Sequence, residues 1–261
     1  MSEFAKCSSC SKESYAYVPI ARVMQKLDEL FDKNDLHGVG ALLDYWEREA
    51  HIIHDKRGLL EILNEQIGYF RRTGEKDRAL HAVREAFALI EELGVENSEA
   101  SGTIYLNGAT TLKAFGEAAE AIKYYDMAKA IYDSTLPWDD YKLAAFYNNI
   151  SSAYKDLGEI ENAEKACYSA LKILESRGGY FGEAAVTHVN LAHLYYDADM
   201  FDERVYEHME CAWTLLSSDE NGHDGNFAFL CSKCYPSFGY FGYFDYENKL
   251  KALVEKIYEG N

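Results

Sequence analysis

Apolar side chains recur every three or four positions along most of the chain, and the runs break at regular intervals at a glycine or a short polar turn. The unit NNISSAYKDLGEIENAEKACYSALKIL, from Asn148 to Leu174, shows the design. Ile150, Ala153, Tyr154 and Leu157 share a helical face before Gly158, and Ala163, Ala166, Cys167, Ala170, Leu171 and Leu174 share one after it. The pattern predicts a helix, a tight turn and a second helix. It recurs upstream as FRRTGEKDRALHAVREAFALI and LKAFGEAAEAIKYYDMAKAI, which places Gly74, Gly116 and Gly158 in equivalent turns 42 residues apart. Two columns of small residues follow in register, Ala79, Ala121 and Ala163, then Ala86, Ala128 and Ala170. Small side chains there let paired helices approach closely.

The same register extends outward in weaker form. Asn34, Asp199 and Gly242 take the turn position, giving six hairpins spaced 40 to 43 residues apart. Val39 and Trp46 stand in the small columns of the first hairpin and Cys211 in that of the fifth, while Arg204 and Glu247 stand where alanine is expected. A lone hairpin buries too little surface to be stable, so the units must stack and the end units must differ. The expected fold is all-α, a right-handed superhelical solenoid of about six helical hairpins over residues 19–261, behind a disordered tail of residues 1–18. Contact between neighbouring repeats alone implies an elongated particle. Pro19, Pro137 and Pro236 each fall near an expected helix boundary.

Composition narrows the choice of partners. With 26 Lys+Arg against 44 Asp+Glu the net charge is −18, which repels nucleic acid and anionic membranes. No stretch approaches the length of an apolar membrane span and the N-terminus has no secretory signal, so a cytoplasmic location is expected, with the six cysteines reduced. The residues ahead of the first helix are too few for a helix-turn-helix DNA-binding domain.

The unit YNNISSAYKDLGEIENAEKACYSAL resembles a tetratricopeptide repeat. Its 42-residue period is similar to the long repeats of kinesin light chains and bacterial peptide-pheromone receptors. The resemblance implies that the first helix of each hairpin lines a concave groove that holds a protein segment or peptide. Nine residues before the turns lie Asn107, Asn149 and Asn190, with Asn148 and Asn64 in the neighbouring column. Asparagine amides match the N–H and C=O groups of an extended peptide; alternatively they satisfy groups of their own chain. Three residues before the turns lie Arg71, Lys113 and Lys155, suited to an acidic peptide or a free C-terminal carboxylate, or else simply complementing the helix ends. Thr110, Ser152, His193 and Tyr196 complete the expected lining.

Other features point elsewhere only weakly. Cys7/Cys10 and Cys231/Cys234 have the spacing of half a zinc site each, but five stacking steps of ~10 Å would hold them about 50 Å apart. His51 and His54 share a helical face with no third ligand in view, so no metal is expected. The aromatic run YFGYFDY reads as C-terminal packing. No catalytic or cofactor-binding motif is present, so neither enzymatic activity nor a cofactor is expected. The leading expectation is a protein-interaction adaptor; a sensor of a small signalling peptide and a self-assembling homo-oligomer are the alternatives.

Overall fold

The computed structural model describes residues 16–222 and 224–260. Among these are twelve α-helices and no strand, arranged as six consecutive hairpins. The helices are α1 (Ile20–Asp32), α2 (Leu36–Ile52), α3 (Lys56–Thr73), α4 (Lys76–Leu93), α5 (Glu99–Ala114), α6 (Ala118–Thr135), α7 (Tyr141–Asp156), α8 (Ile160–Arg177), α9 (Phe181–Ala198), α10 (Arg204–Leu216), α11 (Gly225–Tyr240) and α12 (Phe244–Gly260). Gly74, Gly116, Gly158 and Gly242 turn the chain at φ of 78°, 93°, 77° and 86°, a left-handed conformation that glycine adopts without steric cost. Asn34 does the same at 52°, as asparagine can. Side chains of Asp35, Asp55, Ser98, Asp140 and Asp224 accept hydrogen bonds from the exposed N–H groups that open α2, α3, α5, α7 and α11.

The alanine columns are packed as their spacing requires. Ala79, Ala86, Ala121, Ala128 and Ala170 are fully buried and Ala163 is 1% exposed, as are their counterparts Val39 at 0% and Trp46 at 8%. Enlarging one such residue must push two helices apart. Ala128→Leu is therefore expected to destabilise the protein by about 1–3 kcal/mol, read as a lower urea midpoint at constant m-value. An unchanged midpoint would refute the close contact.

The fifth hairpin departs from the expected register. Its turn spans residues 199–203, longer than the others, and Asp199 is extended at φ −152° rather than left-handed. The extra length shifts the buried column by one position, so Val205 and Ala212 are buried and Cys211 is exposed, contrary to its expected place in the core. Arg204 is thereby freed from the interface: it pairs with Asp202 at 2.6 Å and lies 3.7 Å above the Tyr195 ring. In the sixth hairpin Glu247 is accommodated because Gly239 faces it, where any Cβ would come within 2.3 Å of the carboxylate.

The solenoid does not end in two free faces. α11 meets α1, and Gly225 opens α11 so close to Asp32 that a Cβ would lie 2.8 Å from the Asp32 Cα. The Arg72 guanidinium sits between the two ends, 5.6 Å from the Phe31 ring and 4.7 Å from the Phe229 ring. The expectation of an elongated stack in which each repeat touches only its neighbours is therefore overturned. Six hairpins, each rotated on the last, bring the chain round until its last inner helix faces its first. Cys231 and Cys234 are fully buried, and burial pushes both thiols up to about 12, so they are packing residues; Cys7, Cys10 and the tail to residue 15 lie outside the described residues. Val18 is already packed, 3% exposed, with its N–H donating to Asp55. Pro236 lies inside α11 and not at its boundary; the buried Cys231, Cys234 and Phe238 hold the helix through it while the proline faces outward. Among the described residues no helix is long and apolar enough to cross a membrane.

Candidate functional site

The first helices α3, α5, α7, α9 and α11 touch one another in turn, and α11 reaches α1, so together they form the inner wall. The expected lining residues lie on these helices: Asn64 and Arg71 on α3; Asn107, Thr110 and Lys113 on α5; Asn148, Asn149, Ser152 and Lys155 on α7; Asn190 and His193 on α9. Several of them connect neighbouring repeats. Asn107 Nδ2 donates to Asn64 Oδ1 at 2.8 Å, and Arg71 donates to the Asn107 carbonyl at 3.3 Å and to Thr111 at 3.2 Å. Lys113 donates to Ser152 at 2.6 Å. Others turn back on their own helix: Asn149 Nδ2 donates to the Ala145 carbonyl at 2.8 Å and Thr110 to that of Leu106 at 2.8 Å. The Asn148 Oδ1 atom is buried with no hydrogen-bond partner.

Two hollows mark this wall. The smaller, about 210 Å³, brings together Ser152, Lys155, Asn190 and His193. His193 Nε2 is 2.8 Å from Ser237 Oγ, and its ring lies 4.8 Å from that of Phe241; burial and the nearby Lys155 depress its pKa. The larger, about 720 Å³, lies where the ends of the solenoid meet, between Phe31, Tyr69, Phe229, the cations Arg71, Arg72 and Lys233, and the carboxylates of Asp28 and Asp32 on its α1 side.

The basic column divides on inspection. Lys113 is paired with Asp156 at 3.2 Å and Lys155 with Asp197 at 2.8 Å. Arg71 and Lys233 have no carboxylate within ion-pair distance among the described residues. Both are held below their ordinary pKa, first by desolvation among the surrounding side chains and, for Lys233, also by the charges of Arg71 and Arg72, which Glu183 opposes. Lys233 remains open to the hollow, while Arg71 is half-buried behind it.

Sequence reasoning missed Arg72, Lys233, Phe31 and Phe229, because the hollow exists only when the ends close. A signal was present nonetheless: Lys233 stands nine residues before Gly242, in the same column as Asn107, Asn149 and Asn190, and Phe31 stands three before Asn34, in the column of Arg71.

Behind this wall a histidine pair carries a pH dependence. His188 Nδ1 and His208 Nδ1 are 2.8 Å apart; burial and the neighbouring His208 press His188 from 6.5 down to about 4, and burial lowers His208. As pH falls from 6.5 towards 4 the unfolded chain takes up protons that the folded pair refuses, so folding stability declines across that window. Glu65 and Glu183, raised by burial, act in the opposite direction. His188 by itself is expected to cost about 1–2 kcal/mol of stability between pH 7 and pH 4.5 after discounting partial exposure. Urea denaturation at both pH values measures it, and His188→Gln should flatten the dependence. A variant as acid-sensitive as the parent would exclude the pair.

Residues 143–176, covering α7 and α8, match the tetratricopeptide repeat family. No curated protein sequence matches the chain. Solved structures do match in fold. The nearly identical TPR-like repeats of a Podosopora anserina kinesin light chain protein share 15% identity over 76% of this chain and 94% of that one, with a TM-score of 0.53. BtubC (BKLC) from P. vanneervenii shares 19% over 93% of this chain and 92% of that one, with a TM-score of 0.55. A Rap protein complexed with Competence and Sporulation Factor shares 13% over 92% of this chain and 73% of that one, with a TM-score of 0.59. Residues 143–176 thus match a tetratricopeptide repeat, and the chain as a whole has a tetratricopeptide-like helical solenoid fold like that of the kinesin light chain repeats and Rap.

Proposed function

We propose that the chain is an interaction module that holds an acidic segment of a partner protein against its inner wall, with Arg71 and Lys233 meeting the carboxylates. The observation that carries this reading is the pair of cations without carboxylate partners at a hollow of about 720 Å³, in a protein whose net charge is −18. Asp28 and Asp32 line the same hollow and Glu183 acts on Lys233 from further off, but none stands within ion-pair distance of Arg71 or Lys233, so a ligand carboxylate would supply the direct partner that these two groups lack. Phe31 and Phe229 give the segment apolar surface beside the charges. Asn64, Asn107, Asn148, Asn149 and Asn190, with Thr110, Ser152 and His193, would meet its backbone further along the wall. The unpartnered Asn148 Oδ1 is an acceptor that a ligand N–H would satisfy after a side-chain rotation. Lys113 and Lys155 would add weaker attraction, since Asp156 and Asp197 already offset them. Catalysis has no part in this reading.

A sensor of a small free peptide is the second reading, favoured by the Rap protein of similar fold that was solved with Competence and Sporulation Factor bound. Fluorescence anisotropy with labelled acidic peptides tests both, using free and amidated C-termini and length-matched basic controls. Saturable binding confined to the acidic set is the expected result, and equal binding of acidic and basic peptides, or of neither, defeats the proposal. Loss of affinity on amidation alone would favour a free peptide over an internal segment. A particle mass that climbs with protein concentration would instead favour self-assembly.

A further inference from the structure

We propose a zinc-binding site formed by Glu47 and His51 of α2 with Glu85 of α4, joining the second helices of the first two hairpins away from the inner wall. Glu47 and His51 stand four residues apart and so share one face of α2. One donor atom from each of the three residues lies within 4.8 Å of the others. His51 Nε2 is 3.5 Å from Glu85 Oε1, and the other Glu85 oxygen is 3.4 Å from His81 Nε2. Ligands about 2.1 Å from a tetrahedral zinc are separated by roughly 3.4 Å, so the His51 to Glu85 spacing is already that of two ligands on one ion. Glu47, whose donor atom lies within 4.8 Å of the other two, would close the third side after a small side-chain rotation, and water is left for the fourth position.

Three further features of the cluster support a site. The buried Gln66 of α3 donates from Nε2 to Glu47 Oε2 at 2.6 Å, fixing one carboxylate from behind as supporting residues do around metals. The exposed His81 stands 3.4 Å from the second Glu85 oxygen, close enough to serve as an outer neighbour of the carboxylate. Neither carboxylate is paired with a lysine or arginine among the described residues, although many other acidic side chains of this protein are. Two carboxylates and a neutral imidazole offset the charge of a divalent cation, and the imidazole nitrogen favours zinc over calcium or magnesium. His54, the sequence neighbour that suggests a pair with His51, lies beyond the end of α2 at φ 56° and takes no part. The ligand set was hidden in the sequence because Glu85 comes from another hairpin.

The test uses the full chain carrying Cys7→Ser and Cys10→Ser, so that tail thiols cannot supply ligands. Isothermal titration with zinc alone should give one equivalent bound and a raised melting temperature. Cobalt substituted at the same stoichiometry should show the visible bands of a four- or five-coordinate site and no thiolate charge-transfer band. His51→Ala and Glu85→Gln should each weaken zinc binding at least about 100-fold, beyond the 10–100-fold typical of supporting residues, while His54→Ala leaves it unchanged. The His51 side chain is 53% exposed, so its removal spares the fold, and it decides the matter alone should Glu85→Gln fail to fold. No stoichiometric zinc binding, or equal affinity in His51→Ala and the parent, would overturn the proposal. So would a thiolate charge-transfer band, which would move the metal to cysteine.

Discussion

Replacing Lys233 with methionine should weaken binding of an acidic peptide by about 1.5–3 kcal/mol, roughly tenfold to more than a hundredfold, without lowering the melting temperature of the free protein. The two effects part company because the charge is unfavourable in the empty hollow and favourable only when a carboxylate enters. Desolvation is the first cause of the depressed Lys233 pKa, and the guanidiniums of Arg71 and Arg72 add like-charge repulsion. Methionine keeps most of the length of the side chain and an apolar tip to lie against the Phe229 ring, over which the ammonium now sits at 4.4 Å. Arg71→Met should weaken binding similarly but also reduce stability, since Arg71 holds the Asn107 carbonyl and the Thr111 hydroxyl. Lys113→Met is the comparison, its charge being met by Asp156, and should change affinity little. Binding energy from Lys233 should also shrink with added salt. If Lys233→Met and Lys113→Met weaken binding equally, the hollow at the closure has no special part in recognition.

Much of this architecture was legible because hairpin repeats are written locally. The glycine turns at Gly74, Gly116 and Gly158, and the alanines that follow them, state both the period and the contact faces, and the helices fall where that pattern puts them. Legibility failed wherever a residue's setting depends on something distant or on a change of spacing. Cys211 left the core because five turn residues replaced the usual two or three, a local insertion that the spacing of the flanking glycines conceals. The hollow at Arg71 was invisible because Phe31 and Phe229 lie at opposite ends of the chain and meet only after the superhelix has come round. For the asparagines the sequence states position and not employment. Asn149 answers its own helix through Ala145, whereas Asn107 reaches across to Asn64, and no pattern of spacing distinguishes the two.

Gly225→Leu should open the ring. A Cβ at this position would stand 2.7 Å from Asp32 Oδ1 and 2.8 Å from the Asp32 Cα, and the latter is backbone, which cannot turn aside as a flexible side chain would. Either α1 or the start of α11 must therefore move. Overpacking of this kind costs about 1–3 kcal/mol where the structure cannot yield. Here it can yield, because α1 and α11 meet over a small contact bridged besides by Arg72, so the strain should be released as separation. The Phe229 wall would then be drawn away from Arg72, and the hollow of about 720 Å³ would lose one side. Small-angle scattering should report a larger radius of gyration for the variant, with helicity unchanged by circular dichroism. Affinity for acidic peptides should fall with it, because Lys233 and Arg71 can no longer reach one ligand together. An identical scattering profile would mean that the clash is absorbed within the closed ring. A wider particle that binds as well as the parent would show that closure shapes the protein without serving its recognition of acidic ligands.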